Sequence, residues 1–141
     1  MDRWAEAGKG AAVKLIQDGL NLPDILGTCK FFMYAGIGVD ELAALLSSVT
    51  GREIGAGELL AVSERAITLQ CLFNLREGFT AADDLLPARA CAVPSFGRYA
   101  GEAACGISDF PAMLREYYEA RGWDRITGIP TDATLERTGL K

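Results

Sequence analysis

The chain has 141 residues, half of them hydrophobic and 23% charged, which suits one folded domain, or part of a larger protein, rather than an enzyme carrying a separate cofactor fold. Lysine and arginine total 14 against 19 aspartates and glutamates, a net charge of −5, the opposite of what a nucleic-acid-binding surface requires. Histidine is absent, which excludes Ser-His-Asp and Cys-His machinery, imidazole acid–base chemistry and histidine metal ligation within this chain.

At the N-terminus, Asp2, Arg3, Glu6 and Lys9 interrupt any apolar export segment, and no stretch approaches the ~18 residues that a membrane-spanning helix needs, so an intracellular, cytoplasmic protein without a membrane is expected. The first helix is expected over Trp4 to Leu20. Trp4, Ala7, Ala11 and Leu15 form its apolar stripe, Val13, Ile16 and Leu20 widen it to burial on more than one side, and Pro23 stops it. The segment from Asp24 to Phe32 then reads as irregular. In it Gly27 supplies a positive φ or a close backbone approach, making this the natural place for a site.

Gly36 and Gly38 continue the irregular stretch, and Asp40 and Glu41 open a helix that ends at Gly51. From about Ala56 to Glu77 apolar residues cover nearly the whole circumference, which predicts a helix at the centre of a bundle, closed by Gly78. Thr80 is expected to cap a short helical turn through Asp83 and Asp84, and Ala88 to Ile107 to form a long loop. Ser108 or Asp109 then caps a helix ending at Gly122, and Thr131 starts a last short helix ended by Gly139. No period-two pattern persists. The fold expected is all-α, an irregular multi-helix bundle in a single helical domain over 1–141.

In a reducing compartment Cys29, Cys71, Cys91 and Cys105 are thiols or metal ligands rather than disulfides, and no CxxC occurs among them. By spacing alone, Asp24 and Cys29 read first as a turn-capping carboxylate near a core thiol and second as a site. Cys71 reads as packing. Cys91 and Cys105 read as incidental thiols, with a metal or thiol site shared with Cys29 as the remote alternative. Asp83 and Asp84 read as helix-start charge, and Tyr117, Tyr118 and Trp123 as aromatic core. A mean hydropathy of +0.14 is high for so small and acidic a chain, which points to a surface that a partner covers.

The segment Asp24-Ile25-Leu26-Gly27-Thr28-Cys29-Lys30-Phe31 resembles the DxxGxC element of the tungsten-containing aldehyde:ferredoxin oxidoreductases. Three further blocks agree in the same order: Glu64-Arg65 with Leu72 to Phe79, Asp83 to Arg89, and Met113 to Tyr118 with Arg121 to Asp124 and Gly128 to Thr131. Together they cover nearly the whole chain. Ser63, Thr68 and Gln70 depart from the family's usual residues.

The resemblance implies the helical C-terminal domain of a much longer enzyme, whose β-rich cofactor domain and CxxCxxxC triad are absent here. It implies that Cys29 is the fourth thiolate of a 4Fe-4S cluster, and that Asp24 accepts hydrogen bonds from a pterin of a tungsten (or molybdenum) bis-pterin. Thr28 would touch that pterin mainly through its backbone, and Gly27 would permit the approach. The implied reaction takes aldehyde and water to carboxylic acid, with electrons passed to ferredoxin. The implied partners are the enzyme's remaining domains and ferredoxin, with no nucleic acid. No catalytic residue is expected in this chain. Alone it is expected to hold no cofactor, to be inactive and to self-associate. A helical protein-interaction module without cofactor is the alternative.

Overall fold

A computed structural model describes residues 4–141; Asp2 and Arg3, which the export-signal argument uses, lie outside the described residues. The described residues are all-α, with seven α-helices, one short 3-10 turn at Ala103–Cys105 and no strand. The helices are α1 (Lys9–Leu26), α2 (Phe31–Tyr34), α3 (Val39–Thr50), α4 (Ala56–Arg76), α5 (Ala88–Cys91), α6 (Phe110–Arg121) and α7 (Asp132–Thr138). None is long and apolar enough to cross a membrane.

Several boundaries follow from local chemistry. Asp109 accepts from the Ala112 amide at 2.9 Å and so caps α6, while Thr131 caps α7 through the Thr134 amide. Gly51, Gly122 and Gly139 end α3, α6 and α7 in the left-handed conformation that only glycine adopts without strain. The N-termini of α1 and α6 are satisfied from afar. Glu116 of α6 accepts from the amides of Gly8 and Gly10 at 2.8 Å each, and Glu6 accepts from those of Ser108 and Asp109.

The first helix departs from expectation at both ends. It begins at Lys9 rather than Trp4, and it runs through Pro23 to Leu26 instead of stopping. Proline removes one amide donor, a local cost of roughly 3 kcal/mol. Leu22 is fully buried and Leu26 packs on the same cluster, so apolar burial on both sides of Pro23 carries the helix onward. Its buried line is Gly10, Asp18, Leu22 and Pro23. Val13, Leu15 and Ile16, assigned to the core by their apolar character, are exposed.

Two apolar clusters hold the elements together. Leu22, Leu42, Ala43, Ile54 and Leu59 join α1, α3 and the start of α4; Ile67, Tyr118 and Trp123, with Cys71, Leu114 and Tyr117 against them, join α4 to α6 and the turn after it. Along α4 the fully buried Ser63 lies between them. It donates to the Asp18 carbonyl at 2.7 Å and accepts from the Asn21 amide.

The expectation that α4 is enclosed all round is corrected. Leu59, Ser63, Ile67 and Thr68 are buried, whereas Val62, Leu69 and Phe73 stand exposed on its other side. Thr80 caps a turn through Asp83 and Asp84 that does not lengthen into a helix: its hydroxyl accepts the Ala82 amide at 3.3 Å, Asp83 accepts from the Thr80 amide and hydroxyl, and Asp84 accepts from the Tyr118 hydroxyl at 2.6 Å. The aromatic residues Tyr117, Tyr118 and Trp123 are core, as their composition indicated.

Candidate functional site

The DxxGxC segment is built around one left-handed residue. Asp24 lies in the last turn of α1, which ends at Gly27 with φ 68°; the Pro23 carbonyl then accepts the Thr28 amide at 2.9 Å, closing the turn. The Cys29 carbonyl accepts the Phe32 amide at 3.1 Å and starts α2. Asp24 and Cys29 therefore stand on the two sides of a single tight turn, and both are exposed. The segment is helix, turn and helix rather than the irregular stretch expected of it.

Gly27 is required for its φ. A Cβ there would meet nothing within 4 Å among the described residues, so no neighbour within this chain presses on it. Thr28 is exposed, and its amide is already engaged by Pro23, which leaves its carbonyl and hydroxyl for any further contact. Lys30 donates to Asp24 Oδ2 at 2.7 Å, joining the two ends of the turn. Both residues border a shallow groove of about 310 Å³ whose other walls include Val13, Ile16 and Leu20. Phe31 and Tyr34, at 74% and 70% exposure, extend the uncovered apolar surface beyond Cys29.

Among the described residues no three Cys, Asp or Glu side chains converge to hold a metal ion, and all four cysteines are free thiols. The Cys91 carbonyl accepts the Ile107 amide at 3.0 Å, which draws the two ends of the 91–107 loop together without assembling a ligand set.

A larger cavity of about 660 Å³ escapes the sequence reading. It opens among α1, α4, α6 and the 79–86 segment, with Ile67, Cys71, Leu114, Tyr117 and Trp123 on its walls. No local motif announces it, because its walls come from four separate stretches of chain. Burial, together with the nearby Asp84, pushes the Cys71 thiol up to about 11, and burial and the hydrogen bond to Asp84 raise the Tyr118 hydroxyl as well. Both shifts favour the protonated forms. The Trp123 indole N–H is buried there without a hydrogen-bond partner among the described residues.

A family model described as aldehyde ferredoxin oxidoreductase, domains 2 and 3, matches residues 1–140. Among curated proteins, the tungsten-containing aldehyde ferredoxin oxidoreductase of Pyrococcus furiosus is 34% identical over 128 residues, covering 89% of this chain and 20% of that protein. The proteins of the same description from Thermococcus kodakarensis and Pyrococcus abyssi are each 31% identical, covering 86% and 92% of this chain. The chain thus spans about a fifth of the length of the relatives it matches.

Proposed function

Because the chain belongs to the aldehyde ferredoxin oxidoreductase family, we propose that it is the helical C-terminal domain of such an enzyme, closing a tungsten-pterin and iron–sulfur site whose other half lies on the remaining domains. The observation that carries this is the exposure of Asp24 and Cys29 on the two sides of the Gly27 turn, beside uncovered apolar surface. When bound, the tungsten-pterin and the 4Fe-4S cluster supply the redox chemistry of aldehyde and water going to carboxylic acid, two protons and two electrons.

The residues fit that role by their chemistry. A thiolate is a soft, charged ligand suited to iron, and a lone thiol at a surface completes a site only when other ligands arrive from beyond the chain. Cys29 therefore serves as the fourth cluster ligand. A carboxylate accepts two hydrogen bonds side by side, which suits the planar N–H donors of a pterin, so Asp24 takes the pterin. Gly27 and Thr28 shape the turn that presents both. The single Gly27 turn between Asp24 and Cys29 would hold the pterin and the cluster on neighbouring positions of one short segment, and the exposed Phe31 and Tyr34 would exclude water from it once covered. Ferredoxin takes the electrons onward.

The test is anaerobic co-expression of the chain with the remainder of its parent enzyme in the presence of tungstate. Cys29→Ala is expected to lose the cluster's iron and its visible absorption, and Asp24→Asn to weaken tungsten-pterin retention about 10- to 100-fold, as outer-sphere losses do. Wild-type-like iron and absorption in Cys29→Ala would instead identify the chain as a helical interaction module that kept the fold and lost the cofactor.

A further inference from the structure

We infer that the cavity of about 660 Å³ is a binding chamber for a small, neutral, largely apolar molecule, and that residues 79–86 are its movable wall. The inference goes beyond the roles given to Asp24 and Cys29 and uses neither residue. Small-molecule sites usually enclose roughly 300–1,000 Å³ between mostly apolar walls, and this cavity has both properties. Ile67, Leu114 and Trp123 stand on its helical side, and Phe79, Leu85 and Leu86 on the other. The charged residues on its walls are Lys9, Asp83 and Asp84, so carboxylates outnumber cations and an anionic ligand is disfavoured.

The two sides are held in different ways. On the helical side Ile67, Tyr118 and Trp123 are buried in one cluster that locks α4 to α6. The 79–86 side contains no helix; it leaves α4 at Gly78, whose φ of 95° is left-handed, and ends before Pro87. Asp83 accepts from the Thr80 amide and hydroxyl, so the segment keeps its own turn. Among the described residues, one hydrogen bond joins Thr80 to Leu86 with the helices: the Tyr118 hydroxyl donating to Asp84 at 2.6 Å. Ala81 packs on the cluster, but Phe79, Leu85 and Leu86 are 57%, 65% and 41% exposed, so little burial holds the segment down. A wall latched in this way opens without unfolding the helices behind it, and its opening admits a ligand.

The experiment uses the chain assembled with the rest of its parent enzyme, with 2-acetylnaphthalene as the neutral probe and 2-naphthoate as an anion of similar shape. By equilibrium dialysis 2-acetylnaphthalene is expected to bind saturably, about tenfold or more tighter than 2-naphthoate. Leu114→Trp fills the chamber and is expected to weaken the probe about tenfold or more. Cys71→Phe fills the same space and decides if Leu114→Trp does not fold. No saturable binding, a preference for 2-naphthoate, or wild-type affinity in the filled variant overturns the chamber. The latch is read by amide hydrogen exchange across residues 80–86. Tyr118→Phe, and Asp84→Ala from the exposed side, each remove it and are expected to speed that exchange about five- to tenfold, with α3 unchanged and with the probe slowing it again. Unchanged exchange in both variants overturns the movable wall, and so does an equal rise in α3, which marks a general loss of stability.

Discussion

Arg121 is completely buried, and each nitrogen of its guanidinium donates to α1 or to its own helix. Its guanidinium pairs with Asp18, donates to Gln17 Oε1 at 2.7 Å and to the Tyr117 hydroxyl at 3.1 Å, and lies over the Tyr117 ring; Lys14 takes the other Asp18 oxygen at 2.8 Å. Removing one member of such a pair leaves a buried charge. Arg121→Met is therefore expected to lower unfolding stability by about 3–5 kcal/mol, measured as a fall in the urea midpoint. Nothing in the sequence announces this partner, because a buried aspartate in α1 looks like any polar residue until the fold encloses it. Cys71 offers a second test at this scale. Its thiol ordinarily titrates at 9.0 and is raised to about 11 in the folded chain, so its contribution to stability is full below pH 9 and is lost as pH rises from 9 to 11. A decline in the urea midpoint is expected to begin between pH 9 and 10, below the ordinary range of the raised Tyr117 and Tyr118 hydroxyls, and to flatten there in Cys71→Ser.

At the scale of elements, the crossing of α1 and α6 depends on a glycine. A Cβ on Gly10 would sit 2.4 Å from the Tyr117 amide nitrogen and 2.7 Å from the Met113 carbonyl, whereas one on Gly19, in the same helix, meets nothing within 4 Å. Gly10→Ala is expected to destabilise by at least ~1–3 kcal/mol through overpacking, and Gly19→Ala to stabilise by about 0.5–1 kcal/mol through lowered unfolded-state entropy. Thermal midpoints moving in the same direction for both would contradict the close crossing. Most helix ends were readable from sequence because a cap is local: Gly51, Gly122 and Gly139 in left-handed geometry, and Asp109 and Thr131 at helix starts, act through neighbours one to four residues away. Pro23 was misread for the opposite reason. Its local penalty is offset by the burial of Leu22 and Leu26 against residues of α3 and α4 that lie up to 37 positions away in sequence, from Leu22 to Leu59.

At the scale of the molecule, the accessible surface is 9136 Å² for a mass of 15.1 kDa, against the ~7,100 Å² typical of a compact monomer of that mass. The surplus of about 2,000 Å² includes Leu15, Ile16, Phe31 and Tyr34 around the candidate site and Leu69 and Phe73 along α4. Surface of this kind on a chain spanning a fifth of its relatives' length agrees with cover by the rest of an enzyme. The isolated chain is accordingly expected to self-associate, with a sedimentation coefficient that rises with concentration and falls when a charge replaces Ile16 or Phe31. A concentration-independent monomer would show that this surface needs no cover.

Helix content, caps, the aromatic core and the DxxGxC segment were determined by the sequence itself, since each rests on residue type and spacing within a few positions. Only the tertiary structure decided which face of each helix is enclosed, that Asp18 meets Arg121, that Pro23 is passed through, and that a cavity opens beside Cys71 and Trp123. Those outcomes are set by the free energy of burying surfaces far apart in the chain. Apolar periodicity registers that a residue is available for burial, and the geometry of the assembled helices selects which of the available residues are buried.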